Sequence, residues 1–160
     1  LIYLNKTCYN GLYRVNRRGQ FNVPLGRYRH PAILQAERLR AASKALQHVR
    51  LVAQDFRTIG RTAQAGDFWY FDPPYHPLSS TSSFTGYTAA SFAEGDQRDL
   101  ARMFTTLSQK GCLCMLSNSD TPLILRLYKR FRIERVQAVR AIHANARHRG
   151  AISEVVIRNY

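Results

Sequence analysis

With 160 residues, 45% hydrophobic and 21% charged, the sequence suits one globular domain with a substantial core and is too apolar for a disordered chain. No apolar run approaches the roughly 18 residues of a membrane span, and three cysteines are too few for a disulfide framework, so a cytoplasmic protein without a membrane partner is expected. The net charge of +14 is concentrated in residues 1–66, which hold 12 bases against two acids while residues 67–160 hold 12 against eight; this predicts a polyanion-binding part, nucleic acid ahead of membrane, beside a chemical part.

Leu1-Ile2-Tyr3-Leu4 reads as strand or core. Further on, Tyr13 and Val15, then Phe21 and Val23, flank a turn-like Asn16-Arg17-Arg18-Gly19, the pattern of a β-hairpin within residues 9–28. Arg14, Arg17, Arg18, Arg27 and Arg29 crowd it, interleaved with Tyr9, Tyr13 and Tyr28. A basic ribbon of this kind can enter a DNA major groove, where arginine pairs with guanine. The plainer reading is a solvated hairpin that guards its edges with charge. Pro31 to His48 predicts a helix with Pro31 in its first turn, and Val49–Ala53 a strand that ends at Gln54-Asp55-Phe56. Asp55 then stands where a crevice residue would stand, or caps the following turn.

Phe68-Trp69-Tyr70-Phe71 predicts a buried strand, closed by Asp72-Pro73-Pro74-Tyr75. The two prolines lack N–H groups, so carbonyls and a carboxylate form a loop that only accepts hydrogen bonds, beside an aromatic ring. An amino group on a flat purine or pyrimidine suits such a loop; a simple strand-ending turn is the alternative. Residues 77–87 are small and polar, as in a ligand-ordered lid. Leu100, Met103, Phe104 and Leu107 predict a helix over residues 93–109, ended by Gly111. Cys112–Leu116 predicts a strand whose cysteines pack in the core, followed by Ser117-Asn118-Ser119-Asp120. No fourfold Cys/His spacing supports zinc, so no metal is expected. Thr121-Pro122 opens a third helix carrying Ile124, Leu127, Tyr128 and Phe131. Residues 133–139 and 152–157 read as strands around a basic loop, Arg140–Gly150, that suits phosphate. This order is that of part of an α/β sheet with a hairpin at its far edge.

Tyr9 to Tyr28, Asp72 to Tyr75 with Pro77 to Tyr87, Ser117 to Thr121, Arg140 to Asn145 and Ser153 to Tyr160 together resemble the DNA adenine methylase (Dam) family. The resemblance covers essentially the whole chain. It implies a partial Rossmann-like, S-adenosylmethionine-dependent methyltransferase sheet with a DNA-recognition segment made of a helix and a β-hairpin. Residues 1–48 would be that segment, and residues 49–160 the C-terminal part of the catalytic domain. The implied activity is methyl transfer from S-adenosylmethionine to N6 of a flipped adenine in double-stranded DNA, typically in GATC, in a prokaryotic or phage-type enzyme of the restriction–modification kind.

Residue by residue, the resemblance implies that Asp72 and the Pro73 carbonyl accept the adenine N6 hydrogens, with Pro74 completing the motif and Tyr75 stacking on the base. Tyr9 and Asn10 would fill the space that the base leaves, and Arg14 would read guanine. Leu12, Pro24 and Tyr28 would make other base-pair contacts, while Arg17, Arg18 and Arg27 would meet phosphates. Asp55 and Phe56, with Asp72, would line the cofactor site. The family's opening lysine segment, Phe-x-Gly-type loop and acidic ribose residue have no match here. A missing N-terminal segment is therefore expected, with poor cofactor binding and little or no transfer by these 160 residues alone. The alternative is a non-catalytic DNA-binding remnant. An amino-methyltransferase acting on RNA or protein is disfavoured by Asp72, where glutamine-methylating relatives carry Asn.

Overall fold

A computed structural model describes residues 1–16, 18–78, 92–139 and 151–160. The chain divides into two compact units, Leu1–Gln54 and Asp55–Tyr160.

In the first unit, helix α1 spans Ile2–Thr7. The opening apolar run is thus not a strand. The Asn5 and Cys8 N–H groups donate to the Leu1 and Leu4 carbonyls, Thr7 Oγ1 donates back to Tyr3, and Leu1 through Leu4 are exposed. With no second strand to complete a ladder, a β-prone run takes the local hydrogen bonds of a helical turn. A 3₁₀ turn follows at Tyr9–Gly11, in which Asn10 holds the left-handed conformation at φ 54°. The expected hairpin is present only as isolated antiparallel bridges, Cys8 to Leu25 and Val15 to Phe21, with no continuous two-stranded ladder among the described residues. Asn16 closes the tip by accepting the Arg18 and Gln20 N–H groups, with Gly19 at φ 74°. Helix α2 spans only Ala36–Ala45 and buries none of its residues, shorter than the expected 31–48. Val49–Ala53 is not a strand: Val49, Leu51 and Val52 are 50%, 76% and 53% exposed and have no ladder partner among the described residues. Apolar β-branched residues make a strand only where a neighbour completes the hydrogen bonds.

The second unit is a mixed α/β layer. A 3₁₀ helix, Phe56–Arg61, precedes strand β1, Phe68–Phe71. Helix α3, Glu94–Gln109, crosses over to β2, Leu113–Ser119, which lies parallel to β1 with Phe71 opposite Leu116. Helix α4, Pro122–Leu127, leads to β3, Arg132–Val139, and β4, Ala151–Arg158. The sheet order is β1-β2-β4-β3, with β4 antiparallel to both of its neighbours. Thr121 caps α4 by accepting the Ile124 N–H, and Pro122 sits in the first turn, where an N–H would be idle.

One face of α3, with Leu100, Ala101, Phe104 and Leu107, packs on Phe71, Cys114, Leu116, Val155 and Ile157. Phe104 is the hub: its ring meets Phe131 at 4.8 Å, Tyr128 at 5.4 Å and Phe71 at 6.0 Å. Fully burying side chains of this size contributes about 1.5–3 kcal/mol each. Cys112 and Cys114 are buried thiols, and burial pushes the Cys114 thiol up to about 11. Strand β2 runs three residues past the expected Leu116, so Ser117, Asn118 and Ser119 are strand residues, paired with Val156, Val155 and Glu154 of β4. Among the described residues no helix is long and apolar enough to cross a membrane.

Candidate active site

Alternation along β1 turns Trp69 and Phe71 toward α3 and leaves Phe68 and Tyr70 on the opposite face, where Asp72 continues the pattern. Directly across, Ser117 at the carboxyl half of β2 donates to Asp72 Oδ1 at 3.1 Å and meets Tyr70 Oη at 2.9 Å. The aspartate therefore has one oxygen fixed by a buried hydroxyl while its side chain stays open to solvent. Among the described residues, the Pro73 carbonyl beside it accepts no hydrogen bond. Tyr75 is half-buried. Its phenol is held above the usual range, chiefly by burial, with the Ser117 hydroxyl acting the other way and further pushes from Glu154, Asp72 and Tyr70. A neutral ring next to two acceptors is a surface for a flat, amine-bearing ligand.

The loop backbone is fastened on the other side. Gln97 of α3 donates through Nε2 to the Pro74 carbonyl at 2.9 Å, and the His76 N–H donates to Asn118 Oδ1 at 2.9 Å. Asn118 Nδ2 donates in turn to Gln97 Oε1 at 3.1 Å.

Asp55 and Phe56 stand at the start of the 3₁₀ helix. Asp55 caps it by accepting the Arg57 N–H at 2.8 Å. Arg57 then joins Asp55, Asp96 and Asp99 at 3.1, 2.5 and 2.8 Å, and its charge sits 4.6 Å from the Phe56 ring centroid. The Arg57 guanidinium is held well above its usual range, first by the Asp99 hydrogen bond and then by that of Asp96. It holds Asp99 below the usual carboxylate range; for Asp96 the Ala93 N–H is the larger cause and Arg57 the second. Behind the helix, Gly60 lies so close to α3 that a Cβ there would stand 3.1 Å from Met103 Sδ. The first turns of α3 thus hold both the loop after β1, through Gln97, and the Asp55–Phe56 segment, through Asp96 and Asp99.

The first unit carries Tyr9, Asn10, Leu12, Arg14, Arg18, Pro24, Arg27 and Tyr28, while Arg17 lies outside the described residues. Arg14 is exposed but not free: Asn22 accepts from its Nε through Oδ1 and from its Nη2 through the backbone carbonyl, both at 2.9 Å. The Tyr9 N–H donates to the Pro24 carbonyl at 2.8 Å, which brings those two residues together. Tyr9 and Tyr28 are about half exposed. Arg140–Gly150 and most of the loop 77–87 lie outside the described residues. No group of three or more His, Cys, Asp or Glu side chains able to hold a metal occurs among the described residues.

Ser117, Asn118, Gln97 and Asn22 are site neighbours to which the sequence reading gave no role, Ser117 and Asn118 entering it only within the family-like run Ser117–Thr121. Gln97 carried a signal: it occupies the apolar stripe of α3, in step with Leu100, Phe104 and Leu107, where a polar side chain must have a partner.

Comparison with known proteins adds one family match and three relatives. The model of one family, D12 class N6 adenine-specific DNA methyltransferase, matches residues 1–142. The type II methyltransferase M.MjaIII of Methanocaldococcus jannaschii is 45% identical over 161 residues, covering 99% of this chain and 56% of its own length. M1.LlaDCHI of Lactococcus lactis subsp. cremoris is 44% identical, with 100% and 57% covered, and the DNA adenine methylase of Escherichia coli K12 is 37% identical, with 97% and 55% covered. The chain spans a little over half the length of these relatives.

Proposed function

The chain belongs to the D12 class N6 adenine-specific DNA methyltransferases, and from that premise we propose that it contributes the base-binding and target-recognition residues for methyl transfer to adenine N6 in duplex DNA, with S-adenosylmethionine as donor and GATC as target. The observation that carries this reading is the pair of acceptors at the end of β1: Asp72, one oxygen held by Ser117, beside a Pro73 carbonyl that is unpaired among the described residues. An amine with two N–H groups satisfies both acceptors at once.

The chemistry asks little else of the protein. With both N6 hydrogens held, the nitrogen lone pair is directed out of the ring plane toward the donor, so orientation and charge are the main contributions. When bound, S-adenosylmethionine would supply the electrophilic methyl, with its thioether as leaving group, and the proton that N6 gives up would pass to solvent beside the exposed Asp72. Asp72 stabilises the positive charge developing on the nitrogen, and Tyr75 supplies the stacking face that holds an extruded base. Asp55, whose carboxylate is still half exposed, would take the amine of the donor's adenine, beside the Phe56 ring over which Arg57 lies and against which Phe92 packs.

We assign residues 1–48 to target recognition and residues 49–160 to the catalytic part. In the first, Arg14 would read guanine, Tyr9 and Asn10 would occupy the vacated base position, Leu12, Pro24 and Tyr28 would meet other base pairs, and Arg17, Arg18 and Arg27 would meet phosphates. A cytoplasmic, DNA-associated setting in a prokaryote or phage follows from this role. The test is transfer of labelled methyl from S-adenosylmethionine to duplexes with and without GATC, by this chain joined to the part of its relatives' length that it does not span. Label in adenine of GATC supports the reading. DNA retention without label under saturating donor would leave a DNA-binding module and defeat it.

A further inference from the structure

Asn118 Oδ1 accepts two N–H groups, from His76 and Ser119, each at 2.9 Å. Its amide is therefore oriented with Nδ2 toward Gln97 Oε1, and Gln97 is oriented in turn with Nε2 toward the Pro74 carbonyl. Hydrogen-bond polarity runs one way through two side chains, and flipping either amide would set donor against donor or acceptor against acceptor. Both side chains are buried, Gln97 1% and Asn118 0% exposed, so no solvent can substitute for a lost partner. The relay begins and ends on one loop: it holds the carbonyl just before Tyr75 and the N–H just after it. Of two successive proline carbonyls it occupies Pro74's, whereas Pro73's accepts nothing among the described residues.

We propose that Gln97 and Asn118 are positioning residues that staple the backbone on both sides of Tyr75, setting the angle at which its ring meets the base and holding the Pro73 carbonyl toward the substrate amine. The assignment rests on the function proposed above and adds to it two residues on β2 and α3 that touch no substrate. Proline supplies no N–H with which the loop could hold itself. A loop of successive acceptors beside a carboxylate also gains from donors fixed on its far side.

The test uses three variants, each in this chain joined to the part of its relatives' length that it does not span. Asn118→Asp and Gln97→Glu keep shape but, when ionised, lose the donor that carries the relay forward. When protonated, each carboxyl O–H restores it. Gln97→Leu keeps bulk and has no donor at any pH. Expected are a fall in kcat on the order of tenfold to a hundredfold for all three near neutral pH, little change in KM for DNA, and recovery on acidification for the two acids but not for Gln97→Leu. The parent, titrated alongside, corrects for Asp72, His76, Glu94, Asp96 and Glu154. Unchanged kcat in folded variants, or a Gln97→Leu profile that recovers like the acids, overturns the staple. Hydrogen exchange on a fourth variant reads it without turnover: the His76 amide should be protected in the parent and should exchange about tenfold or more faster in Asn118→Leu, which removes the oxygen that accepts it. A rapidly exchanging His76 amide in the parent also overturns the staple. A parent with a protected His76 amide but no methyl transfer instead defeats the proposed function and leaves the staple's geometry standing.

Discussion

Ser117 Oγ donates to Asp72 Oδ1 at 3.1 Å from the neighbouring strand, so the carboxylate at the end of β1 is aimed by a hydroxyl that is itself buried in the sheet. Because Ser117 also meets Tyr70 Oη at 2.9 Å, its hydroxyl has little freedom to turn away.

Replacing Ser117 by alanine should therefore cost rate without unfolding the sheet. A hydrogen bond to a charged group contributes about 1.5–3 kcal/mol, and Asp72 keeps solvent as a partial substitute. We expect Ser117→Ala to lower kcat about tenfold, the low end of that range, with KM for DNA nearly unchanged. Steady-state kinetics on one duplex, with this chain joined to the part of its relatives' length that it does not span, decides it, and equal loss in kcat and DNA affinity would contradict it.

In the first unit, Asn22 holds the Nε and Nη2 side of Arg14, which leaves Nη1 and the second Nη2 hydrogen pointing outward. That end-on edge matches the two acceptors of guanine. Arg14→Ala should cost about 1–3 kcal/mol of binding and relax preference at one base pair. Asn22→Ala should weaken discrimination at the same pair by a smaller amount. Competition binding with single-base variants of the duplex gives the answer; a loss uniform over all sequences would make Arg14 a phosphate contact.

Asp96, Asp99, Glu94, Asp120 and Glu134 are all held below the usual carboxylate range: Asp96 first by the Ala93 N–H and then by Arg57, Asp99 first by Arg57, and the others first by Arg98, Arg135 and Arg158. A depressed folded-state value means that the unfolded chain binds more protons, so this stabilisation is present above the unfolded carboxylate range and is lost as pH falls. The melting temperature should be flat near neutrality and fall below about pH 4. Arg57→Met should remove part of that acid dependence. Thermal melts in matched salt from neutral to acid test both, and an Arg57→Met slope identical to the parent's would contradict the second.

Tyr128 is fully buried, and its hydroxyl has no partner among the described residues; burial holds its phenol well above the usual range. Tyr128→Phe removes an unpaired polar atom and keeps the edge-on contact with Phe104, so it should be neutral or slightly stabilising. Phe104→Ala, at the centre of the same cluster, should cost about 3–5 kcal/mol. Denaturant unfolding of the two variants should separate them clearly.

How much of this was legible depended on where the hydrogen bonds go. β1 was readable as a strand, because a short aromatic run closed by Asp72-Pro73-Pro74 has few other solutions, but not as a buried one. It lies at the edge of the described sheet, with Phe68 and Tyr70 more than half exposed. α3 was readable too, because Leu100, Phe104 and Leu107 keep helical period. The apolar runs Leu1–Leu4 and Val49–Ala53 misled because strand propensity says nothing about a partner; the first became a helix and the second stayed unpaired. Ser117-Asn118-Ser119 reads as a turn by composition, yet it lies in β2 because β4 supplies the ladder from a position more than 30 residues further on. Gln97, Asn118 and Asn22 could be placed only once the distant groups they bond were known.

Gln97 and Asp96 are consecutive residues, and one grips Pro74 while the other grips Arg57. The loop after β1 and the Asp55 segment are therefore referenced to a single helical turn and not to the chain that joins them. Insertions or deletions between these segments can change the route of the backbone without changing the gauge between them. The tolerance of the site is that of a jig: the connecting pieces are free to vary in length, and the two fixed seats on α3 are not.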